Sequence, residues 1–257
     1  MLETYLIINA DDFGMCHAAN AATFDLLEKG GITSATIMTP CSWAPEAIQF
    51  AKAHPEYAIG LHLTFTSEWH KYRWRPVSAA PCPGLRDRDG YMHHDCDAFE
   101  ASASESEVEA EIRAQIEFAR GFGFEPSHLD NHMGSLYGLE GKQCFLPTVF
   151  RICAEYGYPF RMPSVSYNGE PDELWEPIGK LAQLARQMDV PILDHLWEHD
   201  WHGPQSESYE SFREYMLEHF KTCPEGIVET YIHPSLECDE LKNTSSVWFR
   251  RVWEHRL

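Results

Sequence analysis

Ionisable side chains stand at the ends of several short apolar runs in this sequence. Asp11 and Asp12 come soon after the run at 5–8, and His62 lies near the end of the run at 58–64. One carboxylate and two imidazoles from different strands can hold a divalent cation and leave positions open for water and substrate. A second carboxylate beside that cation could accept a proton from water, so these residue types suit metal-assisted hydrolysis.

The segment at 127–134 gives the strongest single indication of such a site. The period of two in a strand places His128, Asp130 and His132 on one face. That arrangement is costly to bury unless the carboxylate orients the imidazoles or a cation lies among them. We therefore interpret the segment as part of a functional site.

Three further polar residues close apolar runs nearer the C-terminus, namely Arg161, Asp194 and His233. Each of these motifs also has a simpler explanation when it is taken alone. Aspartate is a common N-cap of a following helix, and a single interior histidine is more often a hydrogen-bonded core residue than a ligand. The functional interpretation depends on all of them meeting in one place.

The elements that must position these residues alternate along the chain. Seven apolar or β-branched runs predict strands at 5–9, 33–38, 58–64, 127–132, 160–162, 190–194 and 226–233. Amphipathic patterns predict helices at 18–29, 44–53, 146–156, 178–188, 209–220 and 240–254. A further helix begins with a capping box from Ser104 to Glu107 and is ended by Gly121.

This alternation indicates parallel strands joined by right-handed crossovers, hence an α/β fold. We predict a distorted (β/α) barrel of about seven strands, because no G-x-G-x-x-G motif follows the first strand and polar residues end many strands. The chain has no linker composition, so residues 1–257 are predicted to form a single domain. The irregular segment 66–103, rich in Trp, Arg, Pro and His, is predicted to be a lid-like loop.

The composition excludes some classes of binding partner and indicates where in the cell the protein acts. Acidic residues number 40 against 20 basic ones, which gives a formal net charge of −20 and no basic footprint for nucleic acid or anionic membranes. No apolar run approaches the roughly 20 residues of a membrane span, and no basic leader precedes the first strand, so we expect a cytoplasmic protein. Eight scattered cysteines without a C-x-x-C pair fit free thiols in a reducing compartment.

Taken together and in order, these motifs resemble those of the YdjC family of carbohydrate deacetylases, which includes chito-oligosaccharide deacetylases. The resemblance rests on Asn9-Ala10-Asp11-Asp12-Phe13-Gly14, Ile59-Gly60-Leu61-His62, His128-Leu129-Asp130-Asn131-His132 and His233-Pro234. It implies the distorted barrel of the polysaccharide deacetylases, which agrees with the alternation of elements.

The resemblance also implies one divalent metal ion, bound by Asp12, His62 and His132. Mg²⁺ is the ion usually associated with the family. Two imidazoles suit Zn²⁺ or another transition metal better, because Mg²⁺ prefers oxygen ligands. The identity of the ion stays open.

In the implied reaction, an acetyl group is hydrolysed from an N-acetylated amino sugar or chito-oligosaccharide. Asp11 would be the general base and His233 the general acid, with Arg161 pairing with Asp11 to keep it ionised. The residues that we expect to contact this small carbohydrate substrate are Asp130, Asp194, Trp69, Trp197 and Trp201.

Two other functions compete with this expectation. A glycoside hydrolase would pair Asp11 or Asp12 with a partner such as Glu229 or Asp194 and would need no metal. A sugar-binding barrel without catalysis would not need a general base beside a metal.

The only protein partner that we expect is a second copy of the chain, in a homodimer.

Overall fold

A parallel sheet organises the structure, a computed structural model that describes residues 3–165, 175–200 and 202–257. Its strands are β1 (Thr4–Phe13), β2 (Ser34–Ile37), β3 (Ala58–Leu63), β4 (Leu129–Asn131), β5 (His195–Leu196) and β6 (Gly226–Ile232). They lie in the order β4-β3-β2-β1-β6-β5, and every neighbouring pair is parallel. The predicted α/β class with parallel strands is confirmed.

The sheet has six strands in the described residues, not the seven predicted. The segment 160–163 forms only isolated bridges, to β4 on one side and to the residue before Asp194 on the other. Prolines at both ends of this segment cannot donate to a ladder. Even so, the Arg161 N–H donates to the Leu129 carbonyl, and the Leu193 N–H donates to a carbonyl of the segment, each at 3.0 Å. The segment thus links the two edges of the sheet, which curls into a distorted barrel.

Nine α-helices occur in the described part of the chain. They are α1 (His17–Lys29), α2 (Ala44–Ala53), α3 (Cys96–Ser102), α4 (Glu105–Gly121), α5 (Leu146–Tyr156), α6 (Trp175–Gln187), α7 (Tyr209–Lys221), α8 (Asp239–Thr244) and α9 (Trp248–Arg256). α1 contacts β1, α2 contacts β2 and α4 contacts β3. Over the described ranges, no helix combines the length and apolar composition that a membrane span needs.

Three predicted elements differ from those observed. The strand predicted at 190–194 begins only at His195. The helix predicted at 240–254 is split into α8 and α9, because Ser245 is extended (φ −113°, ψ 126°). The predicted lid-like loop 66–103 is not wholly irregular, since it contains α3.

The helix α4 anchors that long segment to the barrel. The predicted capping box is present, with the Glu107 carboxylate accepting from the Ser104 N–H (3.0 Å). Farther along, the buried Glu111 carboxylate accepts from the N–H groups of Val77 (2.9 Å) and Ser78 (2.8 Å). The apolar face that packs into the core consists of Val108, Ile112, Ile116 and Ala119.

One glycine permits the close approach of β3 to the chain that enters β4. A Cβ atom at Gly60 would lie 2.4 Å from the His128 carbonyl oxygen, a distance that side-chain carbons do not adopt. That carbonyl accepts from the Leu61 N–H (3.0 Å). The two strands that carry His62 and Asp130 are therefore held in register.

Candidate active site

A β-bulge near the end of β1 brings two adjacent carboxylates to one site. The register between β1 and β2 shifts between Ala10 and Phe13, so β1 carries an extra residue there. Asp12 takes left-handed backbone angles (φ 61°), which aspartate tolerates better than most residues. In a regular strand, Asp11 and Asp12 would point to opposite faces, whereas a bulge redirects one of the two side chains.

The residues predicted to bind the metal converge at the carboxyl ends of β1, β3 and β4. His132 Nδ1 lies 3.3 Å from Asp12 Oδ1 and 3.3 Å from His62 Nε2. His62 Nε2 lies 3.6 Å from Asp12 Oδ1. These atoms therefore form a triangle of one oxygen and two nitrogens. All three side chains are buried.

This triangle fits the donor set of a divalent cation. Asp12 Oδ1 is buried, and none of the described residues donates a hydrogen bond of normal geometry to it. Ligand atoms about 2.1 Å from a tetrahedral ion lie about 3.4 Å apart, close to the spacing observed here. Asp11, His62 and Asp130 form a second close group. Its carboxylates are bonded to Arg161, so the first group suits an ion better.

A carboxylate orients each imidazole of the triangle from its far side. His62 Nδ1 lies 2.6 Å from Asp130 Oδ1, and His132 Nε2 lies 3.1 Å from Glu68 Oε2. If each ring is neutral, with its proton on the nitrogen that faces Asp130 or Glu68, the nitrogen in the triangle keeps a lone pair for a cation. Burial would lower the pKa of His132, but the carboxylates of Glu68 and Asp12 outweigh burial and raise it to about 10.

Arg161 holds the second carboxylate, Asp11, in a bidentate contact. Arg161 Nη1 donates to Asp11 Oδ2 (2.8 Å) and Nη2 donates to Oδ1 (2.7 Å), while Asn9 Nδ2 also donates to Oδ1 (2.8 Å). Burial alone would raise the pKa of Asp11, but Arg161 and His62 outweigh it and hold the pKa far below its ordinary range. Asp11 Oδ2 lies 3.8 Å from His62 Nε2, beside the triangle.

The same guanidinium contacts two more buried carboxylates. Arg161 Nη2 lies 2.8 Å from Asp130 Oδ2, and its Nε donates to Glu229 Oε1 (2.6 Å). Burial raises the pKa of Glu229 to about 7, although Arg161 opposes the shift. The Arg161 guanidinium therefore contacts three carboxylates, and it links Asp11 to Asp130, the carboxylate that orients His62.

A cavity of about 960 Å³ opens over these groups, a volume typical of small-molecule sites. Asp11, Asp12, His62 and His132 line it at one side, and His233 lines it as well. Burial lowers the pKa of His233, whereas Asp12 and Glu254 act in the opposite direction.

The residues expected to contact substrate lie in different places. Trp69 lines the cavity. Asp130 is fully buried behind His62. Asp194 lies at the amino end of β6, where its Oδ2 accepts from the Ile227 N–H (2.9 Å), away from the strand end that His233 follows. Trp197 is buried in a stack on His219, with ring centroids 3.7 Å apart. The fifth of these residues, Trp201, lies outside the described ranges.

Sequence reasoning missed two groups that contact the triangle. Glu68 lies five positions after β3 ends, and a carboxylate so close to a predicted site strand was a usable signal. Arg251, on α9, donates from Nη2 to Asp12 Oδ2 (2.7 Å) across 239 positions of chain. Nothing in the residue pattern of α9 points to that contact.

The fold and this geometry define a class, the α/β barrels that carry a buried Asp-His-His group at the carboxyl ends of their strands. Within it, the chain belongs to the YdjC-like protein family, whose family model matches residues 5–257. The family that the motifs resemble is thereby confirmed.

Relatives of known name support this membership. A carbohydrate deacetylase of Brevibacillus brevis is 33% identical over 158 residues, which are 62% of this chain and 59% of that protein. A carbohydrate deacetylase of Halalkalibacterium halodurans is 27% identical over 257 residues, covering 98% of this chain and 94% of that protein. A crystal structure from Enterococcus faecalis V583, of a protein named for cellobiose-phosphate cleavage, matches with a TM-score of 0.75 and 28% identity, over 99% of this chain and 90% of that one. The first alignment thus spans less than two thirds of its relative.

Proposed function

We propose that this protein is a metal-dependent carbohydrate deacetylase that hydrolyses acetyl groups from N-acetylated amino sugars or chito-oligosaccharides. Family membership and the relatives named carbohydrate deacetylase support the proposal. One observation carries it. Among the described residues, the buried Oδ1 of Asp12 has no hydrogen-bond donor and lies between two imidazoles, with the Asp11 carboxylate beside them.

Asp12, His62 and His132 would hold the cation through one oxygen and two nitrogens. This donor set suits Zn²⁺ or another transition metal, while the family resemblance favours Mg²⁺. A bound cation would polarise the acetyl carbonyl, stabilise the developing oxyanion and lower the pKa of water. The carboxylates of Asp130 and Glu68 would fix both imidazole rings in the orientation that binding needs.

Asp11 would act as the general base. Because Arg161 and Asn9 donate to its oxygens, Asp11 stays ionised, but the same contacts make it a weak base. A weak base is sufficient when the pKa of the attacking water has been lowered. Arg161 would therefore fix the position of Asp11 and keep it free of a proton before the reaction begins.

His233 would complete the hydrolysis on the leaving-group side. Asp11 would take a proton from the attacking water as its oxygen bonds to the acetyl carbon. The C–N bond would then break, and the departing amine would take a proton from His233. Burial lowers the pKa of His233, and the Asp12 and Glu254 carboxylates offset this shift only in part, which makes the protonated ring a stronger acid toward the amine. Trp69 would offer an aromatic face to a sugar ring in the same cavity.

The competing functions have less support. The expected partners of Asp11 or Asp12 in a glycoside hydrolase, Glu229 and Asp194, do not line the cavity. Glu229 is instead bonded to Arg161. A sugar-binding barrel without catalysis gives no purpose to a carboxylate held ionised beside a candidate metal centre.

A substrate screen tests the proposal. Protein loaded with one equivalent of Zn²⁺ or Mg²⁺ is incubated with N-acetylated mono- and oligosaccharides, and acetate and new reducing ends are both measured. We expect acetate without new reducing ends. Reducing ends without acetate would identify a glycoside hydrolase, and no acetate from any substrate would contradict the proposal.

Four other expectations stay predictions. They are a single catalytic domain over residues 1–257, a lid-like role for the segment 66–103, a cytoplasmic location and a homodimer.

A further inference from the structure

Two oppositely charged side chains of α9 are buried against the candidate active site. Arg251 and Glu254 are three positions apart, which places them on the same side of the helix. They are only 8% and 2% exposed, although charged side chains are seldom so buried unless they are paired. Arg251 forms an ion pair with Asp12, and Glu254 accepts a hydrogen bond from the backbone of His233. The proposed reaction uses both of these partners.

Arg251 holds the oxygen of Asp12 that faces away from the imidazoles. Its Nη2 donates to Asp12 Oδ2 (2.7 Å), whereas Asp12 Oδ1 belongs to the triangle with His62 and His132. A carboxylate is rigid and planar, so fixing one of its oxygens restricts where the other can lie. Arg251 is therefore placed to set the position of the ligand oxygen.

Glu254 holds the backbone at His233. Its Oε2 accepts from the His233 N–H (2.8 Å), and its Oε1 lies 3.7 Å from His199 Nε2. His233 comes directly after β6, so its side chain enters the cavity from the backbone that Glu254 holds. The contact restricts the path of the imidazole without touching the ring.

We infer that α9 positions two groups of the active site at once. Arg251 sets Asp12 for metal binding, and Glu254 sets His233 for proton transfer. This inference rests on the proposed function, and it makes Arg251 and Glu254 positioning residues. Through Arg251 and Glu254, α9 would contribute to the reaction from behind the metal ligand Asp12 and the acid His233.

The other contacts of α9 supply a matched control. His255 Nε2 lies 3.0 Å from Asp25 Oδ2 of α1, and this contact holds the helix in place without reaching the site. His255→Gln therefore tests the docking of α9, while Arg251→Met and Glu254→Ala test positioning. All variants are compared at a temperature at which thermal melting shows them to be folded.

A Zn²⁺ titration of the metal-stripped full chain tests Arg251 without any substrate. We expect Arg251→Met to bind Zn²⁺ roughly 10- to 100-fold more weakly than wild type, as is usual when a partner behind a ligand is lost. Arg251→Lys keeps the charge and a donor and should regain part of the affinity, and His255→Gln should match wild type. Because a guanidinium also repels a cation, wild-type or tighter binding by Arg251→Met would overturn the part assigned to Arg251.

The kinetics of acetate release test Glu254. We expect Glu254→Ala to lower kcat by about tenfold or more with KM and Zn²⁺ affinity little changed, because a misplaced group slows the chemical step. Glu254→Gln keeps an acceptor for the His233 N–H and should retain most of kcat. A kcat of Glu254→Ala equal to that of His255→Gln would overturn the part assigned to Glu254. Absence of acetate release by wild type would overturn the proposed function and the part of Glu254 with it, while the Zn²⁺ titration still decides the part of Arg251.

Discussion

Two networks in this molecule join arginines to carboxylates at similar distances, but in opposite surroundings. We call the first the site network. It consists of Arg161 with Asp11, Asp130 and Glu229, where each contact is between 2.6 and 2.8 Å and every member is buried. The second, the surface network, consists of Glu109 of α4 with Arg113 and Arg151, at 3.0 and 2.7 Å, on a partly exposed helix surface.

The comparison shows that burial, and not contact distance, decides what such a network does. At the surface, solvent screens the charges, so a pair contributes little to the free energy of unfolding. In the barrel, three carboxylates share one guanidinium, and the pKa of Glu229 rises to about 7. Buried ion pairs are weak evidence for stability because desolvation opposes them. The site network is better explained by the fixed, ionised Asp11 that it provides.

The largest expected effect is that of Asp11→Asn. Loss of the general base should lower kcat for acetate release by roughly 10²- to 10⁴-fold. Metal content should stay at one equivalent, because Asp11 lies beside the ligand triangle and is not part of it. Turnover near that of wild type, with metal bound, would show that another group takes the proton.

An intermediate effect is expected for Glu68→Ala, which removes the carboxylate behind His132. Zn²⁺ affinity, measured by competition with a chelator, should fall by roughly 10- to 100-fold. Glu198→Ala is the matched control, since Glu198 lines the same cavity but its Oε1 accepts from the Tyr231 hydroxyl (2.9 Å). Equal affinities for the two variants would argue against the orienting role of Glu68.

The smallest effect is expected in the surface network. Glu109→Gln should lower the free energy of unfolding at pH 7 by about 1 kcal/mol or less. Hydrogen bonds from Arg151 and Arg113 lower the pKa of Glu109 to about 2 in the folded protein. Its stabilising contribution is thus present above its ordinary pKa, near 4.5, and is lost as the pH falls toward 2.

Urea unfolding at pH 7 and at pH 3 checks this prediction. The difference between wild type and Glu109→Gln should shrink at the lower pH. A cost of several kcal/mol, or a difference that grows on acidification, would erase the distinction between the two networks.

The group of side chains that forms the candidate site could be predicted because it depends on local patterns. Asp11, Asp12, His62 and His132 each stand at the carboxyl end of a parallel strand, and such ends meet at one edge of the sheet. The capping box at Ser104 could be predicted for a similar reason, since all of its contacts lie within four residues.

Contacts that depend on packing between distant segments left no such pattern. Arg251 reaches Asp12 only because α9 folds back over the barrel, and one arginine on a polar helix carries no sign of this. For Asp194, a local pattern was present, but it placed the strand a few residues too early. Its apolar run suggested a strand that ends there. Pro191 has no N–H to donate, however, Leu193 forms only an isolated bridge to Pro163, and the regular strand β5 begins at His195. A shift of a few residues moves a side chain from one end of a strand to the other.

Metal dependence of acetate release shows whether hydrolysis requires an ion at the candidate site. Wild-type protein is stripped of metal and then titrated with Zn²⁺ or Mg²⁺, while acetate from an N-acetylglucosamine oligomer is measured. We expect no release without metal and full release at one equivalent, with Asp12→Asn inactive at the same metal concentration. Undiminished acetate release from the stripped protein would contradict the claim that Asp12, His62 and His132 hold the ion on which hydrolysis depends.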